Sequence, residues 1–228
     1  MKKPPRQAPA RTPAPTRAAL VCGPGKVRVI GGRWRGTRLA VAAAPGLRPT
    51  SDRVRETLFN WLMPILPGAR VLDLFAGSGA LGLEAVSRGA ASAELVERDP
   101  DLAAALREVA GRLPGGDAVT VTQADALGWL ATPPEAGFDL AFVDPPFDAD
   151  LWDAVLPLLV PKLAPSAWLY IESPLSVIPA LGRDWQLHRQ GSTREVRYAL
   201  YRRVPEPAAA PAVTLPSDPA GTAPAAKA

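Results

Sequence analysis

The sequence has little of what disulfides, metal centres and membrane spans are made from. Cys22 is the single cysteine and His188 the single histidine among 228 residues. One cysteine excludes an intrachain disulfide, and with one histidine it cannot complete a cysteine-based metal site, so we expect no bound metal. The basic N-terminus lacks the apolar core of a signal peptide, and no run of about 18 apolar residues occurs. These absences predict a cytoplasmic protein that is neither secreted nor membrane-spanning.

Positive charge is concentrated in the first part of the chain. Residues 1–60 contain 13 Lys and Arg against two acids, whereas residues 61–228 contain 13 against 20. A basic segment joined to an acidic body favours a polyanion partner, because each phosphate bound by Lys or Arg releases condensed counterions. Basic tails also serve simply to keep proteins dissolved. Charge alone therefore leaves nucleic-acid binding and a solubilising tail as equal interpretations.

The composition divides the chain into four regions. Residues 1–24 and 205–228 are rich in Pro and Ala and have no periodic apolar pattern, so we predict that both tails lack order. Residues 25–66 form an N-terminal extension, and residues 67–204 form the main domain. Neither of these two parts contains an evident internal repeat, so a repeat architecture is not indicated.

The N-terminal extension has the pattern of a small β-hairpin followed by a helix. Val27 and Val29 alternate with basic residues, and Gly31–Gly32 supplies a turn before a second short apolar run. Thr50 or Ser51 can cap the helix. The apolar residues of that helix share one face: Val54, Leu58 and Leu62. Arginines line the predicted hairpin, which is therefore the expected contact for nucleic acid.

The main domain alternates short strand-like runs with helical stretches. Five runs have the pattern of buried strands: residues 71–75, 93–97, 119–122, 140–143 and 168–171. Helices are expected to begin near four residues, Gly79, Pro100, Ala126 and Asp150. This alternation predicts the α/β class, a parallel sheet with helices on both faces. The end differs, because Trp185–Gln190, a Gly191–Ser192 turn and Glu195–Arg203 predict an antiparallel pair that completes the sheet.

The first predicted strand of the sheet ends in a glycine-rich loop, and parallel sheets bind ligands beyond the carboxyl ends of their strands. Gly77, Gly79 and Gly82 satisfy GxGxxG, which by itself is typical of dinucleotide binding. Asp73 changes that interpretation, because a carboxylate disfavours a phosphate and suits a cofactor with a cationic amino acid group. The glycines then let the backbone approach an uncharged adenosine linkage. A tight strand-to-helix turn without a ligand is the alternative.

Single acids follow the second and third strands. Glu97 lies 18 residues after Gly79, about where an acid binds the ribose hydroxyls of a nucleotide, and a solvated surface glutamate is the alternative. Asp125, followed by Ala126, can accept a hydrogen bond from an adenine amine. Because aspartate is also a common helix cap, that second interpretation stays open for Asp125.

The fourth strand, FDLAFV, runs directly into Asp144, Pro145, Pro146 and Phe147. Two prolines hold the backbone extended and leave carbonyl groups free to accept hydrogen bonds. A carboxylate and a proline carbonyl can bind the two hydrogens of an exocyclic base amine and orient its nitrogen, while the aromatic ring stacks on the base. We therefore assign catalysis to these four residues. A simple turn that ends the strand is the alternative.

Several motifs, in this order, resemble those of one known group of enzymes. DLFAGSG, VERD and VDPPF are similar to motifs of class I S-adenosylmethionine-dependent methyltransferases that methylate amines, whose catalytic tetrapeptide is [DNS]PP[YFW]. The longer stretches VRVIGGRWRGTRLAV, GLRPTSDRVRETLFNWL and VLDLFAGSGALGLEAVSRGA resemble the RsmD family, the bacterial 16S rRNA (guanine-N2)-methyltransferases. The resemblance covers about residues 26–203 and leaves only the tails outside.

The resemblance implies a Rossmann-like sheet of seven strands with the seventh antiparallel, and S-adenosylmethionine as the cofactor. The implied cofactor site comprises Asp73, Phe75, Gly77, Gly79, Glu97, Asp125 and Ala126. RNA contacts are implied in the N-terminal extension, and for these we name Arg33, Trp34, Arg35, Arg38, Arg48 and Arg53. Two positions depart from some members: Leu74 stands in place of Cys, and Asp125 in place of Asn, which weakens the predicted adenine contact.

The implied substrate is one guanine of 16S rRNA on the assembling small ribosomal subunit, and we expect a monomeric enzyme. The predicted reaction is direct in-line methyl transfer to guanine N2, without a metal or a covalent intermediate. A loop guanine is expected, because the base must leave its stack and this costs least in a loop. DPPF would also suit DNA adenine-N6 or protein glutamine methylation, and a non-catalytic RNA-binding assembly factor is a further alternative. The arginine-rich hairpin and the lack of a DNA target-recognition domain favour RNA.

Overall fold

The computed structural model describes residues 20–21, 27–39, 41–42, 51–133, 137–147 and 150–204. Its main feature is a sheet of seven strands: β1 (Arg70–Asp73), β2 (Ser92–Glu97), β3 (Val119–Gln123), β4 (Phe138–Val143), β5 (Leu163–Pro174), β6 (Trp185–Ser192) and β7 (Val196–Arg203). The strand order is β3-β2-β1-β4-β5-β7-β6. Of these seven strands, β7 alone runs opposite to the other six. The predicted Rossmann-like sheet with an antiparallel seventh strand is confirmed.

Helices pack on both faces of this sheet. They are α1 (Asp52–Leu62), α2 (Ala80–Ser87), α3 (Pro100–Arg112), α4 (Ala126–Leu130) and α5 (Trp152–Leu159). Successive strand residues point to opposite faces, so Val71 joins the apolar core under α1, α2 and α3, whereas Leu72 joins the core under α4 and α5. Because both faces are covered, the central strand β4 contains a continuous buried apolar run, residues 140–143. Within the described ranges, no helix is both long and apolar enough to cross a membrane.

Helix starts follow the capping residues visible in the sequence. The Ser51 hydroxyl accepts a hydrogen bond from the Val54 amide at 3.3 Å and caps α1, as predicted. Asp99 caps α3 in the same way, and Pro100 occupies the first helical position, where its missing N–H is not needed. The helix expected near Asp150 begins at Trp152.

The antiparallel end of the sheet differs from the predicted turn. Gly191 and Ser192 are the last residues of β6 and pair with Tyr198 and Arg197, so the prediction of a turn there is wrong. The chain turns at residues 193–195 instead. A Cβ at Gly191 would overlap the ring of Tyr198 on the neighbouring strand. The glycine is therefore explained by close packing within the sheet, not by turn geometry.

The N-terminal hairpin, residues 27–39, has a longer connection than predicted. Arg28 and Arg38 form an antiparallel bridge between its two sides. Gly31–Gly32 is not a two-residue turn, because the chain continues through a 3₁₀ turn over Gly32–Trp34. Gly32 has a φ of +71°, and a Cβ there would overlap the carbonyl group of Ser87 at the end of α2. The backbone of the hairpin thus lies in direct contact with the end of α2, where only glycine has room.

Two residues of the N-terminal tail, for which we predict no order, pair with the extension. Leu20–Val21 forms a short antiparallel pair with Val41–Ala42. The rest of residues 1–24, and residues 205–228, lie outside the described residues.

A buried ion pair attaches the N-terminal hairpin and α1 to α2. Arg55 is 1% and Glu84 is 0% exposed, and their Nη1 and Oε2 atoms lie 3.9 Å apart. Arg55 Nη1 also donates to the Arg28 carbonyl at 2.8 Å, while Glu84 accepts from the Ile30 amide and from Arg88 Nε, both at 2.6 Å. Buried charges are stable only when they are paired and hydrogen-bonded in this way. The hairpin is therefore anchored to the helix that follows the glycine loop.

Candidate active site

The carboxyl ends of the parallel strands meet at one side of the sheet, which we call the carboxyl edge. Asp73 ends β1 and pairs with Leu95 on β2 and with Phe142 on β4. Glu97 lies two residues after Leu95, and Asp144 lies two residues after Phe142. The structure thus brings three predicted site residues, from three neighbouring strands, to the same edge, as the topology of an α/β sheet requires.

The loop between β1 and α2 is tightly wound. The Ala76 amide donates to the Val96 carbonyl at 2.9 Å, and the Gly79 amide donates to the Ala76 carbonyl at 2.6 Å. Gly79 has a φ of +72°, and a Cβ there would overlap the side chain of Leu106 on α3. Gly77 has a φ of +53° as well, and Phe75 is half-buried at the start of the loop. These glycines are required by backbone conformation and by close packing, which explains the motif.

Asp73, the last residue of β1, has a buried carboxyl group. It is 3% exposed, and its Oδ2 accepts a hydrogen bond from the Gly82 amide at 2.9 Å. Burial raises the pKa of Asp73 to about 7; the bond from Gly82 lowers the pKa, and the charge of Glu97 raises it. The described residues place no Lys or Arg in an ion pair with Asp73. A positively charged ligand would supply the charge that this carboxylate lacks.

Glu97 holds the glycine loop against β2. Its Oε2 accepts from the Gly77 amide at 2.7 Å, and its Oε1 accepts from the Asp99 amide at 2.7 Å. Burial raises the pKa of Glu97, while these two backbone bonds lower it. Each carboxylate oxygen can accept a second hydrogen bond, so a ribose hydroxyl can still bind. The alternative of a freely solvated surface glutamate does not fit a side chain that is 8% exposed.

Asp125 caps α4, as one of its two open interpretations predicted. Its Oδ2 accepts a hydrogen bond from the Gly128 amide at 3.1 Å. The side chain is exposed beyond the end of β3, whereas Ala126 is buried as the first residue of the helix. The cap accounts for Asp125 without a ligand, and the adenine contact stays a prediction.

Asp144 has an unsatisfied carboxyl group at the centre of the carboxyl edge. It is half-buried and accepts no hydrogen bond from the described residues. Burial raises its pKa well above the ordinary value, and the charges of Glu172 and Asp73 raise it further. Pro145 is buried and Pro146 is exposed. An acceptor held ready in this way is what an incoming amine needs.

Phe147 has an exposed ring beside this acceptor. Its ring centroid lies 6.0 Å from that of Trp152, with 41° between the planes, and the side chain is 37% exposed. Trp152 is buried, and its Nε1 donates to the Glu172 carbonyl at 3.0 Å. The buried indole therefore supports Phe147 from one side and leaves it accessible to a planar ligand.

Glu172, near the end of β5, also lies at the carboxyl edge. The sequence assigns no role to this residue. The side chain is 4% exposed, and its Oε1 accepts a hydrogen bond from the Tyr170 hydroxyl at 2.7 Å. Burial and the Glu172 charge raise the pKa of Tyr170. The pairing of Val143 with Ile171 explains why Glu172 lies next to Asp144, and this register is what the sequence does not reveal.

The predicted RNA contacts divide into exposed arginines and one buried tryptophan. Arg33, Arg35, Arg38 and Arg53 are exposed, whereas Arg48 lies outside the described residues. Trp34 is only 3% exposed, and its Nε1 donates to the Pro114 carbonyl at 3.0 Å. The prediction that Trp34 contacts RNA is corrected, because its ring is used to pack the hairpin onto the main domain.

The tip of the N-terminal hairpin lies at the opposite end of the strands from the DPPF segment, Asp144 to Phe147. The Trp34 amide donates to the Ser87 hydroxyl at 2.9 Å, and Arg33 Nη2 donates to the Gly115 carbonyl at 3.4 Å. Ser87 ends α2 and Gly115 comes shortly before β3, so both lie where the strands begin. We call this side the amino edge. Arg33 and Arg35 are therefore about one strand length from Asp144.

One protein family and several curated proteins are similar to this chain over most of its described residues. The family described as "Conserved hypothetical protein 95" matches residues 27–202. A curated relative from Escherichia coli strain K12, "Ribosomal RNA small subunit methyltransferase D", is 46% identical in an alignment of 187 residues that covers 79% of this chain and 92% of the relative. The likeness therefore includes the N-terminal hairpin, the glycine loop and the DPPF segment.

Solved structures have the same fold. The structure titled "Putative methyltransferase yhhF from Escherichia coli" has a TM-score of 0.72 and 44% identity, and the match covers 80% of this chain and 100% of that one. SMU.776, a putative methyltransferase complexed with SAH, has a TM-score of 0.59 at 13% identity, over 72% of this chain and 53% of that one. The second likeness, at this identity, shows only that the fold is shared.

Proposed function

The chain belongs to the RsmD family of methyltransferases, and we propose that it transfers a methyl group from S-adenosylmethionine to the N2 amine of a loop guanine in 16S rRNA. We place it in the cytoplasm, as a monomer acting on the assembling small ribosomal subunit. One observation carries the proposal. Asp144 and the exposed ring of Phe147 form an acceptor and a stacking surface at the carboxyl edge, next to the glycine loop.

The cofactor fits the chemistry of the residues at the ends of β1, β2 and β3. Asp73 is a buried carboxylate with no ion pair to the described residues, and the ammonium group of S-adenosylmethionine would supply a cation. Glu97 has acceptor capacity for the ribose hydroxyls, and Asp125 is exposed where an adenine amine can reach it. When bound, the cofactor supplies a methyl group on a positively charged sulfur, which an amine can take directly.

The residues of the DPPF segment orient the amine. An exocyclic guanine nitrogen is a weak nucleophile because its lone pair is shared with the ring. The Asp144 carboxylate and the Pro145 carbonyl would each accept one hydrogen of the amine and so direct the nitrogen toward the cofactor. Acceptors here also stabilise the positive charge that the nitrogen gains. Because burial raises the pKa of Asp144, its carboxylate is a suitable base for the proton that the nitrogen then loses.

The substrate must present an unstacked base to this site. Phe147 extends from the carboxyl edge, and a base inside a duplex cannot lie flat on it. A loop nucleotide leaves its stack at a cost of a few kcal/mol or less, so a loop guanine is the expected target. The exposed arginines of the extension, Arg33, Arg35, Arg38 and Arg53, would bind phosphates of the same RNA.

A direct assay separates this proposal from its alternatives. Purified protein and labelled S-adenosylmethionine are incubated with unmethylated small-subunit particles, with adenine-containing DNA or with ribosomal proteins. We expect label in 16S rRNA as N2-methylguanosine and none in the other two substrates. Label in DNA adenine or in protein glutamine would contradict the proposed substrate, and cofactor binding without transfer to any substrate would support the non-catalytic alternative.

A further inference from the structure

We propose that the β6–β7 hairpin, residues 185–203, binds the phosphate backbone of the RNA strand that flanks the target guanine. The inference rests on the proposed function, since it names a second RNA-contacting surface for the same reaction. It differs from the expectation drawn from the sequence, which places all RNA contacts in the N-terminal extension. Three observations support it: local charge, position beside the catalytic loop, and guanidinium groups that the protein does not neutralise.

The end of the sheet is positively charged within an otherwise acidic body. Residues 183–203 contain six arginines and two acids, whereas residues 61–182 contain six Lys and Arg against 16 acids. The overall negative balance after residue 60 therefore conceals a local basic segment. A strand pair with this charge attracts a polyanion, and an RNA backbone provides one phosphate for each nucleotide.

The turn of this hairpin lies at the carboxyl edge, on the same side as Asp144. Val143 pairs with Ile171 on β5, and the next residue of β5, Glu172, pairs with Tyr198 on β7. Asp144 is therefore separated from Tyr198 by two strand spacings, about 10 Å. Residues 193–197 continue from there into the turn. A nucleotide adjacent to a base stacked on Phe147 can reach them.

The guanidinium groups at the turn are available for a ligand. Arg194 is exposed at its apex and Arg189 is exposed on the outer strand, and neither forms an ion pair with the described residues. Arg197 does not belong to this set, because its Nη2 donates to Gln190 Oε1 at 3.1 Å and to the Tyr201 hydroxyl at 3.0 Å, and its Nη1 is buried. By contrast, Arg203 at the other end of the hairpin is held by Asp184 at 2.8 Å.

Two hydrogen bonds fix the backbone of the turn that contains Arg194. The Thr193 amide donates to the Val196 carbonyl at 2.8 Å, and the Thr193 hydroxyl accepts from the Val196 amide at 3.1 Å. Both bonds close the turn beneath Arg194. Binding a phosphate then orders only the arginine side chain and not the backbone, which keeps the entropic cost of binding low.

Charged residues on an edge strand also prevent sheets from joining edge to edge, and β6 is such an edge. The two explanations predict different consequences of removing the charge. Protection of the edge predicts self-association of the variants with unchanged RNA binding. RNA contact predicts weaker RNA binding by a protein that stays monomeric.

The test compares Arg194→Gln and Arg189→Gln with Arg112→Gln, which removes an exposed arginine at the end of α3 whose charge is already paired, with Nη1 at 3.3 Å from Glu108 Oε1. Steady-state methylation of unmethylated small-subunit particles gives KM for the particle and kcat, calorimetry gives cofactor affinity, and sedimentation gives the oligomeric state. For Arg194→Gln we expect KM to rise about threefold, as for loss of an exposed phosphate contact, with kcat and cofactor affinity unchanged. The salt dependence of binding should weaken by about 0.7 in logarithmic slope for each phosphate that the variant no longer binds. Arg112→Gln should behave as wild type.

The results distinguish failure of this inference from failure of the proposed function. If the wild-type protein binds the cofactor but methylates no RNA, the proposed function is wrong and the hairpin proposal falls with it. If the wild type is active and both hairpin variants keep the wild-type KM and salt dependence, the hairpin proposal alone is wrong. Self-association of those variants with unchanged KM would identify the arginines as protection of the sheet edge.

Discussion

The two edges of the sheet are built from opposite kinds of residue. The carboxyl edge has buried or half-buried carboxyl groups with raised pKa values, at Asp73, Glu97 and Asp144, and the described residues place no ion pair on any of them. The amino edge has the hairpin tip, with exposed Arg33 and Arg35 around a buried Trp34. The part of the carboxyl edge formed by β1, β2 and β4 is suited to a cationic cofactor and an amine, and the amino edge is suited to phosphates. We therefore expect the chemistry and the attachment of RNA by the extension to be separated by the length of the sheet.

This separation has a geometric consequence for the substrate. A strand of six residues such as β4 spans about 20 Å, so one nucleotide cannot contact both edges. An RNA that touches Arg35 while its base enters the site must extend along the side of the protein. Variants at the two edges should therefore affect different kinetic quantities.

The largest effect is expected at the carboxyl edge, from Asp144→Ala. Loss of the amine acceptor should lower kcat by about a thousandfold, while the cofactor dissociation constant stays close to wild type. Asp144→Asn is the matched control, because it keeps one acceptor oxygen but cannot take a proton, and it should retain more activity than the alanine variant. Substantial activity in Asp144→Ala would exclude the proposed role.

The stacking surface should contribute less. Phe147→Ala is expected to lower kcat/KM for RNA by about 10- to 100-fold, because base stacking on an aromatic ring is worth about 1–3 kcal/mol. Phe147→Tyr keeps the ring and should stay within a few-fold of wild type. Equal activity in the alanine and tyrosine variants would show that the base does not stack there.

Cofactor affinity should depend on pH through Asp73. Its pKa of about 7 in the free protein means that a proton must leave before an ammonium group can pair with the carboxylate. Binding should therefore tighten by about fivefold from pH 6 to pH 7 and weaken again above about pH 8, where the amino group of the cofactor loses its own proton. Calorimetry in two buffers should detect the released proton, and Asp73→Asn should bind weakly at every pH. A pH-independent affinity in the wild type would contradict the assigned contact.

The raised pKa of Asp73 also makes the stability of the folded protein depend on pH. The folded-state pKa of Asp73 lies above the ordinary value of 3.8, so the folded state holds its proton more tightly than the unfolded chain. The contribution of Asp73 to stability is therefore greatest in acid and is lost as pH rises from about 4 to 7. Thermal unfolding of Asp73→Asn should show a smaller decrease in Tm over this interval than the wild type shows.

The smallest effect is expected at the amino edge. A double variant, Arg33→Gln with Arg35→Gln, should raise KM for the particle by about threefold and reduce its salt dependence, with kcat unchanged, because exposed phosphate contacts are individually weak. A change in kcat without a change in KM would show that the two edges are not separate in function.

The sequence was sufficient where topology determines position. Asp73, Glu97 and Asp144 each follow a buried strand, and the carboxyl ends of parallel strands must meet, so their assembly could be predicted. Glu172 could not be assigned because its place beside Asp144 depends on the register of β4 and β5. Register is set by packing and not by a local motif.

Local patterns were insufficient where one residue type serves two purposes. Trp34 lies between two arginines, a pattern that fits both a base-stacking ring and a buried anchor. Its burial and its hydrogen bond to the Pro114 carbonyl show that it is a buried anchor. Gly191 fits both a turn and a strand that needs space for Tyr198. The basic character of the β6–β7 hairpin is hidden in the sequence because its charge is averaged with the acidic residues that precede it.

The central claim is methylation of one guanine of small-subunit rRNA at the carboxyl edge. It is tested most directly by mass-spectrometric mapping of methylguanosine in 16S rRNA from cells with the gene, without it, and with Asp144→Ala in its place. We predict that one N2-methylguanosine in a loop is lost without the gene, returns with the wild type and stays absent with Asp144→Ala. An rRNA methylation map that is the same in all three would contradict the account.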